Sequence, residues 1–183
     1  MLTTTYSLIV FSAEENGTRT KLALLRDHVQ QRMKDITVAD RAIIDGVLTQ
    51  LNHFHECDQC RKIDIYLITK MRKMTLHAGL LLAELESMSL LILNILRSIR
   101  GKLVQALEEG GLRVLELCEA VELYCTTVLK KVDKEENALL PMASRILTAE
   151  DWFQIARQLL SHNAHIGKTA TVPVATQKTM GLD

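Results

Sequence analysis

The octapeptide at residues 53–60, His-Phe-His-Glu-Cys-Asp-Gln-Cys, gathers two imidazoles, two thiols and two carboxylates into eight positions. His53, Cys57 and Cys60 stand at i, i+4 and i+7, which on a continuous helix lie along one face; Glu56 sits four residues before Cys60. Such a face suits zinc, which takes thiolate and imidazole ligands in a tetrahedron once a fourth donor arrives from elsewhere. No second Cys-x-x-Cys or His-x-x-x-His pair follows, so zinc ranks behind other metals here. Cys57 and Cys60 also read as a redox pair. A helix break before Arg61 would set Cys60 near a helix N-terminus, beside Arg61 and Lys62, where positive charge favours the thiolate. Two partly buried, inert thiols are the plainer alternative, and Cys118 and Cys125 read as small core residues.

The elements that must position these groups read as helical. Only seven of 183 residues are aromatic, so the core is expected to be built from Leu, Ile, Val, Ala and Met. Ser12 and Glu15 form a capping-box pattern, predicting a first helix from about Ala13 to Met33 with Leu22, Leu25, Val29 and Met33 as its stripe. A second helix carries Ile43, Ile44, Val47, Leu48 and Leu51, and a bend is expected between Asn52 and Arg61. A third helix runs from near Thr75 to Leu107, closed by Gly110 or Gly111. The fourth spans about Leu112 to Leu140, limited by Pro141. Thr148 and Asp151 then cap a short fifth helix that seats Trp152 on the end of the assembly. Four long amphipathic helices with short connections predict an all-α, antiparallel four-helix bundle over residues 1–166. An extended or mobile tail is expected over residues 167–183.

Charge and composition narrow the function classes. With 22 basic and 22 acidic residues the chain has no net charge, which argues against nucleic-acid binding. The apolar run Leu8–Phe11 has no basic residue before it and is too short for a secretory signal. The stretch Leu76–Leu96 is interrupted by His77, Glu84, Glu86 and Asn94, costly groups to face lipid, so a buried helix is expected and no membrane span. Four cysteines without a signal suit a reducing cytoplasm. His162 and His165 lie near a helix end and read as surface residues. No nucleophile–base pair or phosphate loop is evident, so group-transfer catalysis is not expected.

The string "LKKVDKEENALLPMASRILTAEDWFQI", residues 129–155, resembles the last motif of the hemerythrin-like (HHE cation-binding) domains, with Glu135-Glu136, Leu139-Leu140-Pro141 and Asp151-Trp152 in register. "LLRDH" at 24–28 and "LHAGLLLAEL" from Leu76 resemble the first- and third-helix histidine motifs. The resemblance implies two irons held inside a four-helix bundle by single histidines on helices one and three and His-x-x-x-Glu/Asp pairs on helices two and four. Carried over, it makes His28, Asp64, His77 and Glu135 the candidate metal ligands, with Cys60 and Lys131 standing where histidines are expected. A protonated lysine has no lone pair for a metal and is repelled by it, so Lys131 is expected to pair with Asp64 or Glu135 instead. The implied protein is a binding or sensory module with a degenerate site, metal-free or holding one ion. The alternatives are a working iron- or oxygen-binding protein with altered ligands, and a thiol sensor using Cys57 and Cys60. A protein partner or a second copy could use a bundle face.

Overall fold

The computed structural model describes residues 2–34, 38–39, 41–73, 78–109 and 112–169, with the side chains of 38–39, 106–107, 109, 112–113 and 163–169 excepted. The chain is all-α apart from one two-residue bridge. Helix α1 spans Leu2–Met33, α2 Arg41–Gln59, α3 Thr69–Arg72, α4 Gly79–Glu109, α5 Val114–Lys134, α6 Leu140–Ile146 and α7 Ala149–Thr169. Two wide π-helical turns join these pieces: π1, Ile63–Ile68, leads into α3, and π2, Glu135–Leu139, links α5 to α6. Strand β1, Val38–Ala39, pairs antiparallel with β2, Leu112–Arg113, and so ties the loop after α1 to the loop before α5.

Helix α1 packs against α2, α5 and α7, while α4 packs against α2 and α5. Ion pairs Arg19–Asp133 and Arg26–Glu122 advance along α1 as they retreat along α5, so these two helices run antiparallel. Two apolar clusters fill the interior. One takes Leu22, Leu25 and Val29 of α1 with Val47, Leu51, Leu96, Val121 and Val128. The other takes Phe11, Ile63, Leu67, Leu85, Leu139, Trp152 and Leu159.

Several boundaries depart from the sequence reading, each for a local reason. Helix α1 starts eleven residues earlier than the capping-box pattern suggests, because Ser7 and Phe11 are fully buried and α7 covers that stretch. Ser12 is therefore mid-helix. Pro141 does not end its helix. It sits in the first turn of α6, where its missing N–H is tolerated, and π2 absorbs the mismatch just before it, with the Leu140 N–H reaching back to the Glu135 carbonyl. The column ends instead at Leu147, where ψ turns to 135°.

Residues 110 and 111, expected to close the third helix, lie outside the described residues. Helix α7 is 21 residues long, not short, and takes in residues 167–169 of the expected tail; residues 170–183 lie outside the described residues. Helix α4 is long and apolar enough to cross a membrane by length and composition alone, with mean hydropathy 1.7 over an 18-residue window within Gly79–Gln105; a third of that window is buried within the chain. Leu85, Leu96 and Leu103 face inward, whereas Leu80, Leu90, Leu91 and Val104 are exposed.

The expected bend is present. Cys60 forms a turn, its N–H bonding the Cys57 carbonyl at 3.3 Å, and Arg61 lies outside regular helix before the chain resumes. The expected cap on α7 is present as well: the Thr148 hydroxyl donates to Asp151 Oδ2 at 2.6 Å, and the Thr148 N–H donates to the same oxygen at 3.0 Å. Lys70 then pairs with Asp151 Oδ1 at 2.8 Å and anchors α3 to that cap. Replacing Thr148 with Ala is expected to cost about 1 kcal/mol, measured as a lower urea midpoint with an unchanged m-value.

Candidate functional site

A layer of charge separates the two apolar clusters. Glu15 of α1, Arg61 after the bend, and Lys131 and Glu135 on α5 and π2 are 1%, 2%, 4% and 0% exposed, an unusual depth for four ionisable side chains. Arg61 Nη2 donates to Glu135 Oε2 at 2.5 Å, and Lys131 Nζ stands 3.4 Å from Glu135 Oε1. Lys131 also bonds Asp64 Oδ1 at 3.2 Å. Asp58, in the last turn of α2, places Oδ1 3.9 Å from Arg61 Nη1. One carboxylate thus holds two cations, and each cation turns toward a second carboxylate.

The backbone makes this convergence possible. Lys131 and Glu135 are four apart at the end of a regular helix, so both face inward on the same stripe. Arg61 is aimed inward by the turn at Cys60, and the helix beyond it is fixed by α1. The Lys62 and Ile63 N–H groups donate to the two Glu14 carboxylate oxygens at 2.9 and 3.1 Å, a cap supplied from across the fold. Glu14 faces that helix start, while Glu15, the acidic member of the apparent capping box, turns to the interior and caps nothing.

Electrostatics follow from burial. Burial pulls the Lys131 ammonium down, but Glu135 and Asp64 outweigh it and hold it above its ordinary value. Arg61 is likewise held up against burial by Glu135, Asp58 and Asp64. Burial pushes the Glu135 and Asp58 carboxyls up, opposed by the same two cations. Because both Glu135 oxygens face a cation, we take that group as ionised. Glu15 has no such partner. Neither of its oxygens has a hydrogen bond among the described residues, and burial first, then the Glu135 charge, raises its pKa from 4.5 to about 7. Glu136 adds to this, while Arg61 and Arg19 oppose it.

Residues singled out from the sequence fall in several places. Asp64, Lys131 and Glu135 are brought together, with Lys131 paired to both carboxylates. His28 is not among them: it is half-buried on α1, thirteen residues and about 20 Å of helix rise from Glu15. His77 lies outside the described residues. Cys60, placed on the interior line by sequence register, is exposed; the turn it occupies passes that line to Arg61. Cys57 is half-buried and neither thiol is in a disulfide. His53 is exposed, and His55 hydrogen-bonds Gln59 at 3.0 Å. His162 contacts Tyr66 through its Nδ1 at 3.0 Å and packs edge-on against that ring. Arg61 and Glu15 were not anticipated. The available signal was their alignment, in a helical reading, with the apolar stripes on either side.

The donors present do not fit two irons. Glu135 is engaged on both oxygens by cations, Asp64 is engaged by Lys131, and among the described residues no imidazole joins them. Among the described residues no group of three or more His, Cys, Asp or Glu side chains stands close enough to hold a metal ion. No protein-family model, curated protein or solved structure matches this chain.

Two outcomes test the layer. Arg61→Met leaves Glu135 buried with only Lys131 and is expected to cost about 3–5 kcal/mol in urea denaturation, with Arg61→Met/Glu135→Gln costing less than the single change. For Glu15 the raised pKa means that the protonated form is tolerated and the carboxylate is not. Its penalty is absent below pH 4.5, grows as pH rises, and is complete above about 7. Glu15→Gln should therefore gain stability over the wild type at pH 8 and lose most of that gain at pH 5. Parallel pH–stability curves for the two proteins would count against the assignment.

Proposed function

We propose that this chain is a hemerythrin-like antiparallel four-helix bundle, formed by α1, α2, α4 and the α5–π2–α6 column with α7 laid along α1, and that it serves as a non-enzymatic binding or sensory module in the cytoplasm. Its interior charge layer stands where the resemblance implies iron. The observation that carries this reading is the convergence of Arg61 and Lys131 on Glu135. Two iron ions with bridging carboxylates bring positive charge into the middle of an apolar bundle; here a guanidinium and an ammonium bring it, held by the same class of carboxylate.

The substitution is self-consistent chemically. A metal would have to displace a charge-assisted hydrogen bond from Glu135 and approach two fixed cations, and the helix-four position that should offer an imidazole offers three donors and no lone pair. A protein partner or a second copy has the exposed leucines of α4 available to it.

Elemental analysis of untagged protein, with an absorption spectrum in air, tests the reading. The expected result is substoichiometric iron and no oxo-bridge band; near two irons per chain with that band would sink it. Lys131→His alone should not load iron, since Arg61 still occupies Glu135. Iron uptake by that single variant would show that one lysine, rather than the whole layer, excludes the metal.

A further inference from the structure

Helix α4 turns Leu85, Ile92, Leu96, Ile99 and Leu103 into the core. The opposite face of a helix on the outside of a bundle is ordinarily charged, yet from Ser87 to Leu96 no residue of α4 carries a charge. Leu90 and Leu91 stand there 58% and 51% exposed, next to exposed Asn94. Adjacent exposed leucines on an uncharged helix face mark an interaction surface.

Charge returns at the two ends of that stretch with opposite sign. Glu84 and Glu86 lie on its N-terminal side, and Arg97 and Lys102, both exposed, on its C-terminal side. Glu84 and Lys102 are eighteen residues apart, about five full turns, so they share one edge of the outer face. Glu86 and Arg97 are eleven apart, about three turns, and share the other edge. The two pairs are centred within two residues of each other, beside Ile92. Turning the helix end for end about that point therefore puts a base where each acid stood, on the same edge. Within the chain Glu84 Oε1 is paired with Lys134 and Glu86 Oε2 with Arg72 at 3.4 Å, and both carboxylates stay more than half exposed, each with its other oxygen open to a second cation. Arg97 and Lys102 have no ion pair among the described residues.

We propose that α4 is the interface of an antiparallel homodimer, with a two-fold axis near Ile92, in which the Leu90 and Leu91 side chains of the two copies cover each other. Glu84 of each copy meets Lys102 of the other along one edge, and Glu86 meets Arg97 along the other edge. A two-fold interface must be complementary to itself, and this face is so only when the copies run antiparallel: a parallel copy sets acid on acid and base on base. Lipid is a poorer match, because it would have to accept both signs of charge and Asn94 on one face. Flanking ion pairs of this kind select partner and direction, while covering the leucines supplies the affinity. The inference rests on the part of the proposed reading that gives the α4 leucines to a partner, and it is independent of the interior layer.

The test is sedimentation equilibrium of the full chain at micromolar concentration, where twice the chain mass is expected. Arg97→Glu/Lys102→Glu makes the face wholly acidic and Glu84→Lys/Glu86→Lys makes it wholly basic. Each variant alone should weaken the dimer at least tenfold, and an equimolar mixture should restore a dimer containing one of each. Leu91→Glu should weaken the dimer to a similar extent with its far-UV circular dichroism unchanged. The basic variant loses the Lys134 and Arg72 pairs; if it folds poorly, the acidic variant and Leu91→Glu decide the matter. A wild-type monomer, a dimer left intact by Leu91→Glu or by the acidic variant, or a mixture of folded variants that stays monomeric overturns the proposal. So does binding of the wild-type chain to phosphatidylcholine vesicles that Leu91→Glu abolishes, which would give the face to lipid. Iron content of the same preparation separates the two failures: an iron-free monomer overturns the dimer alone, and an iron-loaded dimer overturns only the metal-free reading of the interior.

Discussion

Arg61, from the turn after α2, and Lys131, from α5, approach one fully buried carboxylate, Glu135, and the geometry around them is arranged to keep that contact. An isolated charge at this depth would be strongly penalised, while a hydrogen-bonded group of opposite charges recovers much of the loss. The turn at Cys60 aims Arg61 inward. Glu14 holds the start of the following helix at two backbone N–H groups, and π2 begins at Glu135 itself. Arg19 clamps α1 to the same part of the column through Asp133 and Glu136 on the outer surface.

Such a layer contributes more to specificity than to raw stability. Sliding one helix past another by a turn would oppose Arg61 or Lys131 to leucine and leave a charge without a partner, so alternative packings of the same apolar stripes are disfavoured. The apolar clusters supply most of the driving force through burial of residues such as Leu22, Leu51, Leu96, Leu67 and Trp152. The charged residues fix which leucine meets which.

Much of the architecture was legible because it rests on periodicity. The stripe Leu22–Leu25–Val29–Met33 is buried as its spacing predicts, as are Ile44, Val47 and Leu51 of the second stripe with Ile43 and Leu48 half-buried beside them, and the Thr148–Asp151 cap was readable from two residue types three apart. The pairing of Lys131 with Asp64 and Glu135 followed from donor chemistry. Arg61 was missed because the register on helix two follows the resemblance, which puts Cys60 at the histidine position; the stripe Ile44–Val47–Leu51–Phe54, carried on by seven residues, reaches Arg61 instead. Glu15 was misread for a different reason. A serine three residues before a glutamate looks the same at a helix start as in its interior, and only the burial of Ser7 and Phe11 against later elements distinguishes the two.

The layer also partitions the molecule along its length. On one side are the apolar contacts of α2 with the distal halves of α1 and α4 and the whole of α5; on the other, those of π1, α6 and α7 with the proximal parts of α1 and α4. Cooperative opening tends to follow contiguous apolar contact, and here the two clusters meet at the salt-bridged residues. A change in charge at that boundary therefore borders both clusters at once, whichever end of the molecule it begins from.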